Sequence, residues 1–215
     1  MQSSVQPDPF AGCLANLCCR MPNTTLTTTT AYFPPAAWFL EARKQGNWTW
    51  EAHENYQKGG WRNRCRIAAA NGPQLLSIPL AGGKHARQPV REVRISYRTD
   101  WQRQHAQTIR SAYGRAPYFE YYGEEVLEAL LTPGPLLYDY NLRLSRQLLR
   151  LLGWPLPIEG TQEFSGGDAG TTPPPRGVEP YPQVFIERHG FLDGLSILDA
   201  LFCLGPECAT LNRTS

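Results

Sequence analysis

The stretch WEAHENYQKGGWRNRCRIAAANG, residues 50–72, gathers acids, amides, a histidine and three arginines. His53 stands between Glu51 and Glu54, with Asn55 and Gln57 following. A histidine among carboxylates is suited to take and return a proton, so His53 reads as a general base and Glu51 as its partner. The pair supplies too few ligands for a metal site. Further on, Arg62, Arg64 and Arg66 alternate with Asn63, Cys65 and Ile67. On a strand that alternation puts the arginines on one face and the other three residues on the opposite face. Guanidinium forks match phosphates and carboxylates, so the expected ligand is an anionic small molecule, a nucleotide sugar or an acyl donor. A solvated arginine face is the plain alternative.

Other residues enter the candidate set. His105 lies on the apolar side of a helical pattern, either as a hydrogen-bonded interior residue or at the lip of a cleft. The aromatics Tyr118, Phe119, Tyr121 and Tyr122, with Trp61, offer flat faces to sugar rings or else edge the core. The catalytic candidates are His53, Glu51 and His105; the substrate-binding candidates are Gln57, Lys58, Arg62, Asn63, Arg64 and Tyr118. Ser196 and Asp199 have capping-box spacing before an apolar run, which explains them better than a catalytic triad does. Cys65 faces away from the arginines by strand parity, which weighs against a cysteine–histidine nucleophile. Neither G-x-G-x-x-G nor a Walker-type phosphate loop is present, and the sequence names no cofactor.

These residues need elements to hold them. Leu26–Tyr32 reads as a strand, Ala36–Gln45 as a helix and Trp48–Ala52 as a second strand, a βαβ start. Residues 62–70 read as a strand, Asn71-Gly72 as a hairpin turn and residues 75–80 as the return strand. Residues 90–97 alternate again and suggest another strand. Asp100 precedes a helix to Tyr113, a short helix covers Glu124–Leu131, and the leucine spacing predicts a helix from about 135 to 151. Residues 158–180 are rich in glycine and proline and read as a flexible insert. A short strand at 184–187 and a helix at 196–204 follow. The expected fold is α/β: a mixed sheet from the N-terminal half packed with helices from the C-terminal half. One domain over 31–211 is expected, after a disordered or artefactual tail over 1–30.

The composition excludes some roles. A net charge of +2 argues against a dedicated nucleic-acid binder. No apolar run approaches the roughly 20 residues that cross a bilayer, and no secretory signal is visible. The 6 cysteines form no C-x-x-C pair and read as reduced thiols of a cytoplasmic protein.

Several blocks together resemble the WbqC-like proteins of bacteria: Tyr32-Phe33-Pro34-Pro35, Glu51–Lys58, and Trp61-Arg62-Asn63-Arg64-Cys65. The similarity continues through Ala70-Asn71-Gly72, Asp100-Trp101, Pro117–Tyr122, Tyr181–Phe185 and Leu195–Asp199. The pattern is departed from at Gly59-Gly60, Ala106 and Cys203. The resemblance implies an association with surface-polysaccharide (O-antigen) gene clusters and transfer of a glycyl or other acyl or aminoacyl group to an activated sugar. A non-catalytic accessory protein that binds an anion or a partner is the alternative.

Overall fold

Three very short parallel strands carry the candidate site. They are β1 (Leu26–Thr28), β2 (Trp48–Trp50) and β5 (Ile158–Gly160), in the order β1-β2-β5. The structure is a computed structural model and describes residues 25–82, 88–164 and 177–214. Leu26 pairs with Trp48 and Thr28 with Trp50; Trp48 pairs with Ile158 and Trp50 with Gly160. The Trp48 indole donates to the Thr28 hydroxyl at 3.0 Å, which ties the first two strands through their side chains as well.

Helix α1 (Ala36–Gln45) crosses from β1 to β2 and makes the expected βαβ start. Pro35 precedes it, and Gly46 ends it at a φ of 81°, a left-handed turn that glycine adopts without a Cβ clash. Strands β3 (Arg64–Ala69) and β4 (Gly72–Ser77) form a separate antiparallel hairpin whose turn residues are Ala70 and Asn71, one position earlier than expected, with Gly72 already paired to Ala69. The α/β class is therefore as expected, with the strands divided between two sheets.

The helices follow their apolar spacing: α2 is Trp101–Tyr113, α3 Phe119–Leu131, α4 Leu137–Leu151, α5 Ile186–His189 and α6 Ile197–Leu204. On α4, Leu137, Tyr140, Leu144 and Leu148 are all buried, and each such leucine contributes about 1.5–3 kcal/mol. Cys65, Ile67 and Ala68 of β3 are buried in the same apolar cluster as α4 and α6. Among the described residues no helix is long and apolar enough to cross a membrane.

Five local expectations are corrected. Residues 158–160 are a strand rather than flexible insert, because Trp48 and Trp50 give them a partner edge. Residues 165–176 of that insert lie outside the described residues, as do residues 1–24 of the tail. The return strand covers 72–77, immediately after the turn. Residues 90–97 make a 3-10 turn, Val90–Glu92, and isolated bridges from Arg94 and Ile95 instead of a strand. Helix α3 starts at Phe119 rather than Glu124, because the aromatic group packs as its first turn. Residues 186–189 are helical where a strand was expected, after Phe185 turns left-handed at a φ of 63°.

Gly205 closes α6 at a φ of 54°, and a Cβ there would lie 2.5 Å from the Tyr118 ring. We expect Gly205→Ala to lower the unfolding free energy by about 1–3 kcal/mol, measured by urea denaturation. An unchanged midpoint would mean that the ring is not held against this turn.

Candidate functional site

The carboxyl ends of β1, β2 and β5 collect the polar side chains of the first half of the chain. In open parallel sheets that end is where ligands are bound, because loops rather than strands must cover it. Leaving β2, Glu51 is completely buried. Its carboxylate accepts from the His53 amide at 2.9 Å and from the Thr161 hydroxyl at 2.7 Å. Thr161 follows directly on β5, and its hydroxyl also accepts from the Ala52 amide at 3.0 Å. The exposed His53 ring reaches the Thr161 carbonyl through Nε2 at 3.1 Å. A carbonyl oxygen can only accept, so Nε2 carries the proton and the neutral ring keeps its basic lone pair on Nδ1.

A second carboxylate sits behind this first group. Glu54 is 5% exposed and is gripped by Arg62, with Nε to Oε1 at 2.9 Å and Nη2 to Oε2 at 2.5 Å. The Thr29 hydroxyl donates to the same Oε1. Arg62 itself is 1% exposed and lies in a 3-10 turn, Trp61–Asn63, that precedes β3. The Asn141 amide of α4 fixes that turn by donating to the Arg62 carbonyl at 2.7 Å and to the Thr30 hydroxyl at 3.2 Å. The expectation that Arg62 shares a strand face with Arg64 and Arg66 is therefore corrected: strand geometry begins one turn later, and the Arg62 fork is closed on Glu54.

The remaining candidates fall in different places. Arg64 is half-buried and Arg66 exposed on β3, opposite Cys65 and Ile67, so the parity reading holds for those two. Asn63 is buried and internally bonded, accepting from the Tyr56 hydroxyl at 3.1 Å and donating to the Ile78 carbonyl at 2.9 Å. Gln57 and Lys58 are exposed on the turn between the two acids and Arg62. Tyr118 packs over Gly205 beside Tyr121 and Tyr122.

His105 is 7% exposed on α2, between Tyr32 and Trp101. Its Nδ1 meets the Tyr32 hydroxyl at 2.9 Å, and burial pushes its pKa down to about 4. It is a neutral interior histidine near pH 7. The bend that presents Tyr32 holds Phe33 at a φ of 42°, pinned by Tyr32 N–H to Trp61 O and Ile197 N–H to Pro34 O, both 3.0 Å. Burial raises the Cys65 thiol well above its ordinary value, which disfavours a thiolate nucleophile. His189 binds the Ala70 carbonyl, a bracing contact, and His85 lies outside the described residues.

Asp199 was expected to complete a capping box. Ser196 does cap α6, accepting from the Leu198 amide at 3.3 Å, but the Asp199 carboxylate turns inward. It accepts from Tyr113 at 3.0 Å, Tyr181 at 2.7 Å and Gln183 at 2.9 Å. Burial raises its pKa to about 6 against the pull of these donors. Spacing alone could not separate the two roles, because a cap and a buried acceptor share the same sequence pattern.

Among the described residues no group of three or more histidine, cysteine or acidic side chains is placed to hold a metal ion. The model of the WbqC-like protein family matches residues 30–172. That span contains β2 and β5 of the parallel sheet, the hairpin and α1 to α4, and begins just after β1. No curated protein and no solved structure matches the chain.

Proposed function

The chain belongs to the WbqC-like protein family, and on that premise we propose that it is a transferase. It moves an acyl or aminoacyl group, such as a glycyl group, to an activated sugar in bacterial surface-polysaccharide biosynthesis in the cytoplasm. One observation carries the reading. Glu51 and His53 meet Thr161, more than a hundred residues away in sequence, at the carboxyl ends of adjacent parallel strands.

The chemistry follows from the tautomer. With Nε2–H held on the Thr161 carbonyl, His53 Nδ1 takes the proton from a sugar hydroxyl or amine as that atom attacks the activated acyl carbon. A bond forms from the sugar oxygen or nitrogen to the acyl carbon. The bond from that carbon to its leaving group breaks, and the imidazolium returns the proton to the departing atom. Glu51, anchoring the His53 backbone, fixes the ring's position. Gln57, Lys58, Arg64 and Tyr118 are the substrate-binding residues in this reading, whereas Arg62, Asn63 and His105 support the site from within.

The test is turnover. Purified protein is incubated with nucleotide sugars and with acyl-CoA or aminoacyl donors, and products are identified by mass spectrometry. We expect a modified sugar whose rate falls by about a hundredfold in His53→Ala and also drops in Glu51→Gln. Unchanged reactants alongside ligand-dependent thermal shifts would replace this reading with the accessory one. The engagement of Arg62 and His105 inside the protein is what favours that second reading.

A further inference from the structure

Arg91 and Tyr138 converge on the sheet edge from two elements that the sequence did not link to it. The 3-10 turn Val90–Glu92 is hung on the site by the Val90 amide, which donates to the Glu54 carbonyl at 2.9 Å. Val90 is fully buried, so the turn is fixed and the exposed Arg91 side chain projects from it. Its guanidinium carbon lies 5.3 Å from the centre of the Tyr138 ring. Tyr138 comes from the first turn of α4 and packs edge-on against Trp50 of β2, with centroids 6.0 Å apart.

Three features of this spot point to a ligand. Tyr138 is 2% exposed, yet its hydroxyl proton is given to no acceptor. A buried donor left this way costs free energy unless something completes it. No ion pair among the described residues holds Arg91. Finally, Gly160 lies where the two donors meet: a Cβ there would come 2.7 Å from the Tyr138 hydroxyl and 2.9 Å from Arg91 Nη2. Glycine at the end of β5 lets both donors approach the backbone, and any larger residue would displace them.

We infer that Arg91 and Tyr138, brought together over Gly160 at the carboxyl end of β5, seat an oxyanion of the ligand, a phosphate or a carboxylate. The phenol oxygen can accept from Arg91, but a guanidinium accepts nothing, so the Tyr138 proton and the remaining Arg91 N–H groups are left for an acceptor with negative charge. Glu51 and Asp139 are the carboxylates whose charge bears on Tyr138. Glu51 already accepts from His53 and Thr161, which leaves the Arg91 side as the favourable seat for an anion. This inference rests on reading the sheet edge as the functional site, and moves the anion-binding role from Arg62 to Arg91.

Binding is tested without turnover. The thermal midpoint is followed while inorganic pyrophosphate is added in one arm and sodium acetate in the other, at matched ionic strength. Wild type, Arg91→Ala, Tyr138→Phe and the exposed control Arg110→Ala are compared. We expect a saturating rise in at least one arm, phosphate or carboxylate, and the arm that responds identifies the ligand's group. The rise should be abolished in Arg91→Ala, need at least about tenfold more anion in Tyr138→Phe, and persist in Arg110→Ala. Arg91 is exposed and Tyr138→Phe keeps the ring, so both variants retain their packing. A rise preserved in both variants, or none in either arm, overturns the inference. Loss of transfer without loss of this response would instead count against the transferase reading alone.

Discussion

Arg62→Ala is expected to destabilise the protein by about 3–5 kcal/mol, the cost of leaving one partner of a buried ion pair alone. Among the described residues Glu54 would keep only Thr29 as a side-chain donor while remaining almost fully buried. The loss is a large part of the 5–15 kcal/mol or so that holds a typical domain together. Urea unfolding measures it. Replacing both partners by apolar residues, Arg62→Met with Glu54→Leu, should recover most of the loss, because no charge is then stranded. A cost under about 0.5 kcal/mol for the single variant would show that the Arg62 fork is not committed to Glu54. The result bears directly on function. An activity defect in an Arg62 variant is first a folding defect, whereas Arg64 and Arg91 can be changed without uncovering a buried acid.

Asp199→Ala should cost about 3 kcal/mol or more, because it strands three buried donors at once. Tyr113, Tyr181 and Gln183 all point at that carboxylate, and Tyr113 also accepts from the Ala68 amide of β3 at 3.0 Å. The acid thus joins α2, α6, the hairpin and the segment before α5.

Its titration adds a pH signature. The folded pKa of about 6 lies above the ordinary 3.8, so the stabilisation linked to this group is complete below 3.8 and is lost as pH rises through 6. His105 runs the other way. Its folded value of about 4 lies below 6.5, so its contribution is complete above 6.5 and is lost as pH falls through 4. The two contributions run in opposite directions over the same pH range and largely offset each other in the wild type. His105→Gln, which can still meet the Tyr32 hydroxyl, should unmask a stability that declines as pH rises from 4 to 6. Asp199→Asn should unmask the reverse slope. Unfolding free energies across this range check both, and equal slopes in wild type and variants would rule out the opposed pair.

Local pattern made some elements legible. Helix α1 and helix α2 end where glycines and apolar spacing predicted, and the leucines of α4 are the ones that are buried. Asn71-Gly72 announced the hairpin, and the alternation through Arg64, Cys65, Arg66 and Ile67 gave the correct faces. The prominence of Glu51 and His53 was visible as composition, and the structure sets both at a strand end.

By itself, then, the sequence determined helices α1, α2, α4 and α6, the hairpin and the two faces of β3, because those depend on side chains a few positions apart. Tertiary structure alone decided the rest. Strand β5 is three residues in a glycine- and proline-rich stretch, and it exists because β2 lies beside it. Arg62 looked like a ligand-facing arginine until the fold supplied Glu54, and Asp199 looked like a cap until Tyr113, Tyr181 and Gln183 surrounded it. Thr161, Tyr138, Arg91 and Gly160 carry no motif; only the meeting of distant segments over the end of a parallel sheet makes them neighbours of Glu51. Spacing records which face of its own element a residue occupies. The partner across that face is chosen by long-range packing, and at this site the partner sets the chemistry.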